Sequence, residues 1–285
     1  GPISLTINDP MKKLTFTLDD PDKKLNCKLQ FIANSSAHQE PRSTLTEGVR
    51  TLMDTIRFTQ LGKWTGTINT EAGKIECKSI YGTRDRSWGI RPIGEAESGA
   101  PGLVIDEPGV YWCWAPIHFK DFCTHFGTFE DQDGNSTQIS GHKLPLYSDV
   151  SNIPEEPKVE NLYNLKHSIQ WQKGTRWSTG AIIEGISDTK EKIKINLETL
   201  GPKFFCRGIG YQHEDWKHGI WKGESATGYE VWNLDEINPE DHTFFHTHQI
   251  VKATLGSNSG IGTLENLVIG RHDPSGFKDF FDGAP

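Results

Sequence analysis

Cysteine is scarce and scattered. The five residues, Cys27, Cys77, Cys113, Cys123 and Cys206, are odd in number and show no CxxC spacing. That argues against a disulfide framework and a thiolate zinc site, and points to a reducing, cytoplasmic setting. No stretch approaches 18 consecutive apolar residues, so no membrane span is expected. Basic runs are missing too. With 30 Lys and Arg against 38 Asp and Glu, the net charge is −8. A nucleic-acid partner held by counterion release does not fit that balance. GxSxG, HExxH, a P-loop, GxGxxG after a strand and an EF-hand loop are all absent. Nucleotide chemistry and the common hydrolase triads lose their support, and no cofactor is implied.

What is present is alternation. Leu14-Thr15-Phe16-Thr17-Leu18, Trp64 to Ile68, Lys192 to Leu197 and Tyr229 to Leu234 each read as half-buried strands. Turn signals recur at Asp20-Pro21-Asp22, Ala72-Gly73, Asp133-Gly134-Asn135 and Asn238-Pro239. The best helical segment, Thr44 to Phe58, matches a helical period poorly. An all-β sandwich or barrel follows. A polar stretch from Leu144 to Glu160, with Pro145, Pro154 and Pro157, reads as a linker or long crossover. It divides the chain into residues 1–150 and 151–285, each the size of one antiparallel barrel.

Five clusters could carry chemistry. In Tyr81 to Pro92, an extended backbone puts Arg84, Arg86 and Trp88 on one face and Thr83, Asp85 and Ser87 on the other. Charge on both faces suits either a solvated edge or the wall of a polar cavity, where Asp85 would pair with Arg84 or Arg86. In Tyr111 to Phe119, Trp112, Trp114 and His118 share a side, and His125 follows closely; such a wall is more often plain core than a ligand box. Gly208 to Glu224 gathers Tyr211, His213, Trp216 and Trp221 between glycines, as a cavity mouth or a hairpin capping a barrel end. His242, His246 and His248 would face one way on a strand, yet no carboxylate on that face completes a metal site, so no metal is expected. Finally, Glu265 shares a face with Leu267 and Ile269. Burial among apolar neighbours would raise its pKa and suit it as a proton donor, unless Arg84, Arg86 or Arg271 holds it as an ion pair.

Gly82-Thr83-Arg84-Asp85-Arg86-Ser87-Trp88-Gly89, Trp112 to Phe119, Gly208 to Glu224 and Gly262 to Phe277 together resemble a mainly bacterial family of unknown function. More distantly, that family is similar to the carotenoid 1,2-hydratase group, which includes hydroxyneurosporene synthase and kievitone hydratase. The resemblance implies two lipocalin-like antiparallel β-barrel halves and hydration or cyclisation of isoprenoid double bonds. Fungal decalin-forming pericyclases share that plan. This chain carries Arg86 where the family usually has histidine, so an acid–base role resting on that histidine does not transfer.

The residues and the resemblance together point to a cofactor-independent hydratase, isomerase or cyclase acting on a hydrophobic isoprenoid-like or polycyclic molecule. Asp85 and Glu265 are the alternative acids, with Arg84 beside them. His118 or His125 would guide water or remove a proton. Trp88, Trp112, Trp114, Tyr211, His213, Trp216 and Trp221 would line the cavity and shield a cation. Two other readings stay open: a carrier of a lipid, steroid or polyketide, which the same walls would serve, and a hydrolase built on the histidine strip.

Overall fold

The computed structural model describes residues 1–20, 25–47, 49–91 and 109–285, and among them the regular structure is strand and short 3-10 turns. The strands are β1 (Ile3–Asp9), β2 (Lys13–Asp20), β3 (Leu25–Ala33), β4 (His38–Gln39), β5 (Ser43–Glu47), β6 (Arg50–Thr70) and β7 (Gly73–Ile90). After them come β8 (Val110–Trp114), β9 (Ile117–His118), β10 (Phe122–Glu130), β11 (Ser136–Pro145), β12 (Glu160–Trp171), β13 (Ser178–Ser187), β14 (Lys192–Phe205), β15 (Thr247–Leu255) and β16 (Asn258–Ile269). The expected all-β, lipocalin-like architecture is present as one closed barrel and a second sheet.

The second sheet comes first in the chain. β1, β2, β3 and β6 pair antiparallel in that order, β4 and β5 extend the β3 edge of β6, and β7 runs along the other edge. Thr44 to Phe58 therefore lies in β5 and β6 rather than in a helix; β-branched and aromatic residues favour that outcome. The barrel closes through β10, β11, β12, β13, β14, β15, β16 and back to β10 by way of β8 and β9, which act as one strand broken at Ala115-Pro116. Its interior is filled by Cys113, Phe126, Ile183, Ile195, Val251, Leu264 and Val268, all buried. Each such side chain contributes about 1.5–3 kcal/mol on burial.

The proline-containing stretch does not separate two domains. β11 and β12, which flank it, pair with each other inside the barrel at His142–Asn161 and Lys143–Glu160. Between them, Val150 and Ile153 lie on the apolar face of the first sheet against Leu14, Phe31 and Trp64, and the Tyr147 amide donates to the Asn34 carbonyl at 2.7 Å. The expected boundary near residue 150 is thus corrected: the change of sheet falls between β7 and β8. The segment is a strap, kept out of the ladder by prolines that lack an amide donor.

Tyr229 to Leu234 is also not a strand. Its alternation serves other contacts: Glu230 turns to His213, and Trp232 packs edge-on to Phe244. Gly208 to Glu224 holds turns rather than two strands. The turns at Ala72-Gly73 and Asp133-Gly134-Asn135 join β6 to β7 and β10 to β11 as expected. Pro21, Asp22 and Pro92 lie outside the described residues.

Candidate active site

On the barrel wall the strands alternate strictly. Tyr111, Cys113, Phe126, Leu264 and Val251 point into the core, so Trp112, Trp114, His125, Glu265 and His248 point out. This outer wall meets β6 and β7 of the first sheet. There Leu61 packs on Cys123 and Leu144, and the Gly82 carbonyl lies 3.1 Å from His118 Nε2.

A bulge decides which face of β7 arrives. Ile75 and Cys77 pair with Ile68 and Gly66 on the apolar side of the sheet, and the register shifts between Trp64 and Gly66. Ser79 adopts φ of 58° there. One extra residue reverses the alternation. Thr83, Asp85 and Ser87 consequently turn toward the barrel with Arg57, Thr59 and Leu61, while Arg84, Arg86 and Trp88 occupy the opposite face with Phe58. Arg84 is therefore not a neighbour of Asp85 in the site, and the expected Asp85 pairing with Arg84 or Arg86 is corrected to Arg57, whose Nε lies 3.7 Å from Asp85 Oδ1.

Three carboxyls meet in this interface and differ in state. Burial pushes Glu265 up, but hydrogen bonding and charge from His246, the charge of His248 and a hydrogen bond from Trp112 outweigh it and hold Glu265 below the usual carboxylate range. His246 Nε2 lies 2.7 Å from Glu265 Oε1, and Trp112 Nε1 donates to the same oxygen at 3.0 Å. The apolar environment expected for Glu265 is thus not what surrounds it. Glu40 is similar: burial raises it, yet His125, Arg57 and Thr59 bring it down to about 2. Thr59 Oγ1 donates to Glu40 at 2.8 Å, and His125 Nε2 lies 3.2 Å away at ion-pair distance, though without hydrogen-bond alignment.

Asp85 goes the other way. Burial, opposed by Arg57 and reinforced by the negative charges of Glu40 and Glu265, raises it to about 6. Its side chain is still 45% exposed. Protein surrounds the carboxyl on several sides while part of it faces solvent.

Arg57 lies over the Trp112 ring at 4.9 Å, and Phe129 packs on the same ring at 4.3 Å. Trp114 is edge-on to both His125 and His248 at 5.9 Å. Polar atoms of Arg57, Trp114, His125, His246 and His248 are buried without a hydrogen-bond partner. Native interiors leave few such atoms, so their concentration here marks a place for another molecule's polar groups. A cavity of about 30 Å³ opens beside Glu40, Arg57, Ser87, Arg91 and Trp112. Larger hollows of about 360 and 340 Å³ lie by Arg176 and by Lys143, away from these carboxyls.

Of the residues singled out in the sequence, Asp85, Glu265, Trp112, Trp114, His118 and His125 come to this interface. Tyr211 reaches its edge, with its ring 4.8 Å from His246 and its hydroxyl 3.4 Å from Arg91. Trp88, His213, Trp216 and Trp221 do not. Trp88 is exposed beside Phe58, His213 binds the amides of Asp215 and Trp216, and Trp216 and Trp221 are surface residues. Glu40 and Arg57 were missed; nothing in their local sequence marks them. The histidine strip breaks because His242 lies in a 3-10 turn, while Glu265 on the neighbouring strand supplies the partner that strip lacked. Donor atoms of Cys206, His246 and Glu265 fall within 4.8 Å of one another. A tetrahedral ion would draw its donors to about 3.3–3.8 Å, and the His246–Glu265 hydrogen bond already satisfies that pair.

Comparison with known proteins places this geometry in context. A crystal structure of a candidate AttH from Nitrosomonas europaea, determined at 2.00 Å, aligns with 92% of this chain and 67% of its own at 10% identity and a TM-score of 0.53. A crystal structure of CghA aligns with 93% of this chain and 66% of its own at 11% identity and a TM-score of 0.47. The first likeness supports the fold. No curated protein sequence matches. Residues 1–278 match the model of the Family of unknown function (DUF8625), and the chain belongs to that family.

Proposed function

We propose that the chain is an acid–base lyase or isomerase, of hydratase or cyclase type, acting on a hydrophobic isoprenoid-like or polycyclic substrate. One observation carries this reading: across a single interface Asp85 is pushed toward its neutral form while Glu265 is held ionised. Environments that drive two carboxyls apart separate an acid from its counterpart. Of the two residues expected as alternative acids, Asp85 is the proposed donor.

In the proposed cycle the Asp85 proton passes to one carbon of a substrate double bond, leaving a carboxylate and a carbocation. Trp112 and Trp114 flank that cation, at about 0.5–2 kcal/mol per ring. His246 then accepts a proton from the adjacent carbon or from an attacking water. Glu265 fixes its orientation: Nε2–H is directed at the carboxylate, so in the neutral imidazole Nδ1 carries the lone pair that takes the proton, and the resulting imidazolium is the form whose charge Glu265 favours. The sequence resemblance to the carotenoid 1,2-hydratase group supports the same chemistry.

The test uses whatever hydrophobic molecule native mass spectrometry finds on protein purified from its own host. Incubated in D2O, an acid–base catalyst places deuterium in that molecule, and Asp85→Asn stops the incorporation. A molecule that is bound tightly but never labelled makes the protein a carrier and ends the catalytic reading.

A further inference from the structure

We propose that the site selects a substrate carrying a carboxylate, and that Arg57 and Arg91 form the pocket for that head group. This rests on the interface being a binding site, and it names the class of molecule bound there.

Both guanidiniums line the cavity of about 30 Å³ next to Trp112. Neither is matched by a hydrogen-bonded carboxylate among the described residues. Arg57 stands 3.9 Å from Glu40 and 3.7 Å from Asp85, yet its buried Nε has no acceptor. Glu40 spends its hydrogen bonding on Thr59 and its close ion pair on His125. Arg91 donates to two neutral hydroxyls, Ser87 Oγ at 3.1 Å and Tyr211 OH at 3.4 Å. Guanidinium forks prefer a carboxylate, which takes two parallel hydrogen bonds, over neutral oxygens.

Position narrows the class. The hollow is small beside a whole hydrophobic molecule and receives one end of it rather than its chain. The hydrophobic part of the molecule would then continue past Phe129, the half-buried ring that packs on Trp112 at the wall of the hollow. Trp112 itself donates to Glu265, and Arg57 neighbours Asp85. A head group held between the arginines thus sets the attached carbons beside both carboxyls. The binding charge lies next to the chemistry but is separate from it.

Three probes with the same farnesyl chain separate the possibilities: farnesoic acid, farnesol and farnesyl diphosphate, each titrated into the intact protein by calorimetry at pH 7.5. The acid should bind at least tenfold more tightly than the alcohol, and more tightly than the diphosphate, which is far bulkier than a carboxylate. Arg91→Gln, on the half-buried rim, should bring the acid down to the affinity of the alcohol while leaving the alcohol unchanged. Arg57→Gln should do the same, with circular dichroism verifying its fold. Equal affinities for acid and alcohol, tighter diphosphate binding, or an unchanged preference in a folded Arg91→Gln protein would each overturn the assignment. The readout is binding alone. Asp85→Asn must retain the preference, so a protein that prefers the acid but never labels it in D2O refutes the catalytic reading and leaves the carboxylate pocket standing.

Discussion

Burial raises the pKa of Asp85 on β7, and Glu265 on β16 adds to it across the interface between barrel and sheet, while His246 keeps Glu265 itself ionised. The two groups do not behave alike because only Glu265 is hydrogen-bonded to an imidazole. For Asp85, Arg57 at 3.7 Å and the charge of His125 are too little to offset burial and two negative neighbours.

The first expected consequence is a pH limb. If Asp85 donates the proton, labelling in D2O must fall as pH rises through about 6 and the acid form disappears. Asp85→Asn should lower the rate by about 10²–10⁴-fold, the range for a positioned general acid. A rate that stays flat from pH 5 to 8 in the native protein would remove Asp85 from this role.

A second consequence concerns stability, and its sign is opposite to that of most carboxyls. The folded-state pKa of Asp85 lies above its ordinary value of 3.8, so its favourable contribution is complete below about 3.8 and is lost as pH rises through about 6. Asp85→Asn should therefore stabilise the protein near pH 7.5. Because the side chain is 45% exposed, solvent screening limits the gain to about 1 kcal/mol. Urea denaturation at pH 7.5 and pH 4 checks it: the advantage of the variant should shrink at the lower pH.

How far the sequence could disclose this site depends on the link in question. Strand alternation on β8 and β16 is uninterrupted, so Trp112, Trp114 and Glu265 were correctly assigned to their faces. The split of Asp85 from Arg84 also followed from period two. Which face met the barrel did not, because it turns on the bulge at Ser79, and αL serine has no local signature. The charge state of Glu265 was misread for a different reason. Its partners His246, in the loop before β15, and Trp112, on β8, lie 19 and 153 residues away. Glu40 and Arg57 reach the interface only through such long-range pairing, and no motif encloses them.

The Glu265–His246 pair should act as a unit. Glu265→Gln removes the charge that favours the imidazolium, leaving only an amide oxygen to accept, and His246→Gln removes the base, so each should cost about 10²-fold or more in rate. The double variant should cost little beyond either one, because residues that act together are strongly non-additive. Multiplicative losses would show that the two serve separate steps. Rate of deuterium incorporation is the measurement in each case.

Glu40 gives the ordinary sign. Its pKa is lowered to about 2, so the stabilisation it contributes is complete above its usual value of 4.5 and is lost as pH falls toward 2. Both Glu40 and His125 are buried, at 3% and 2% side-chain exposure. Glu40→Gln should cost about 3–5 kcal/mol near pH 7, the range for breaking a buried pair. The deficit relative to the native protein should narrow on acidification, as denaturation at pH 7 and pH 3 would reveal. An equal deficit at both values would mean that packing, rather than charge, is what Glu40 supplies.

Arg176 tests the barrel rather than the site. Its side chain is fully buried, and it donates to the carbonyls of Val268, Gly270, Asp279 and Asp282 and to the Asp282 carboxylate, with the guanidinium 4.3 Å from the Phe277 ring. One planar group thereby ties the end of β16 to the C-terminal segment. Lysine carries the same charge but cannot reach that many acceptors in one plane. Arg176→Lys should thus leave several buried carbonyls unpaired, at about 1–3 kcal/mol each. Asp282→Asn, which keeps every carbonyl contact, should cost much less. The discriminating measurement is limited proteolysis: in Arg176→Lys, cleavage should begin between Phe277 and Ala284 well before the barrel strands are cut. Protection equal to that of the native protein would show that Phe277, rather than the guanidinium, holds the segment in place.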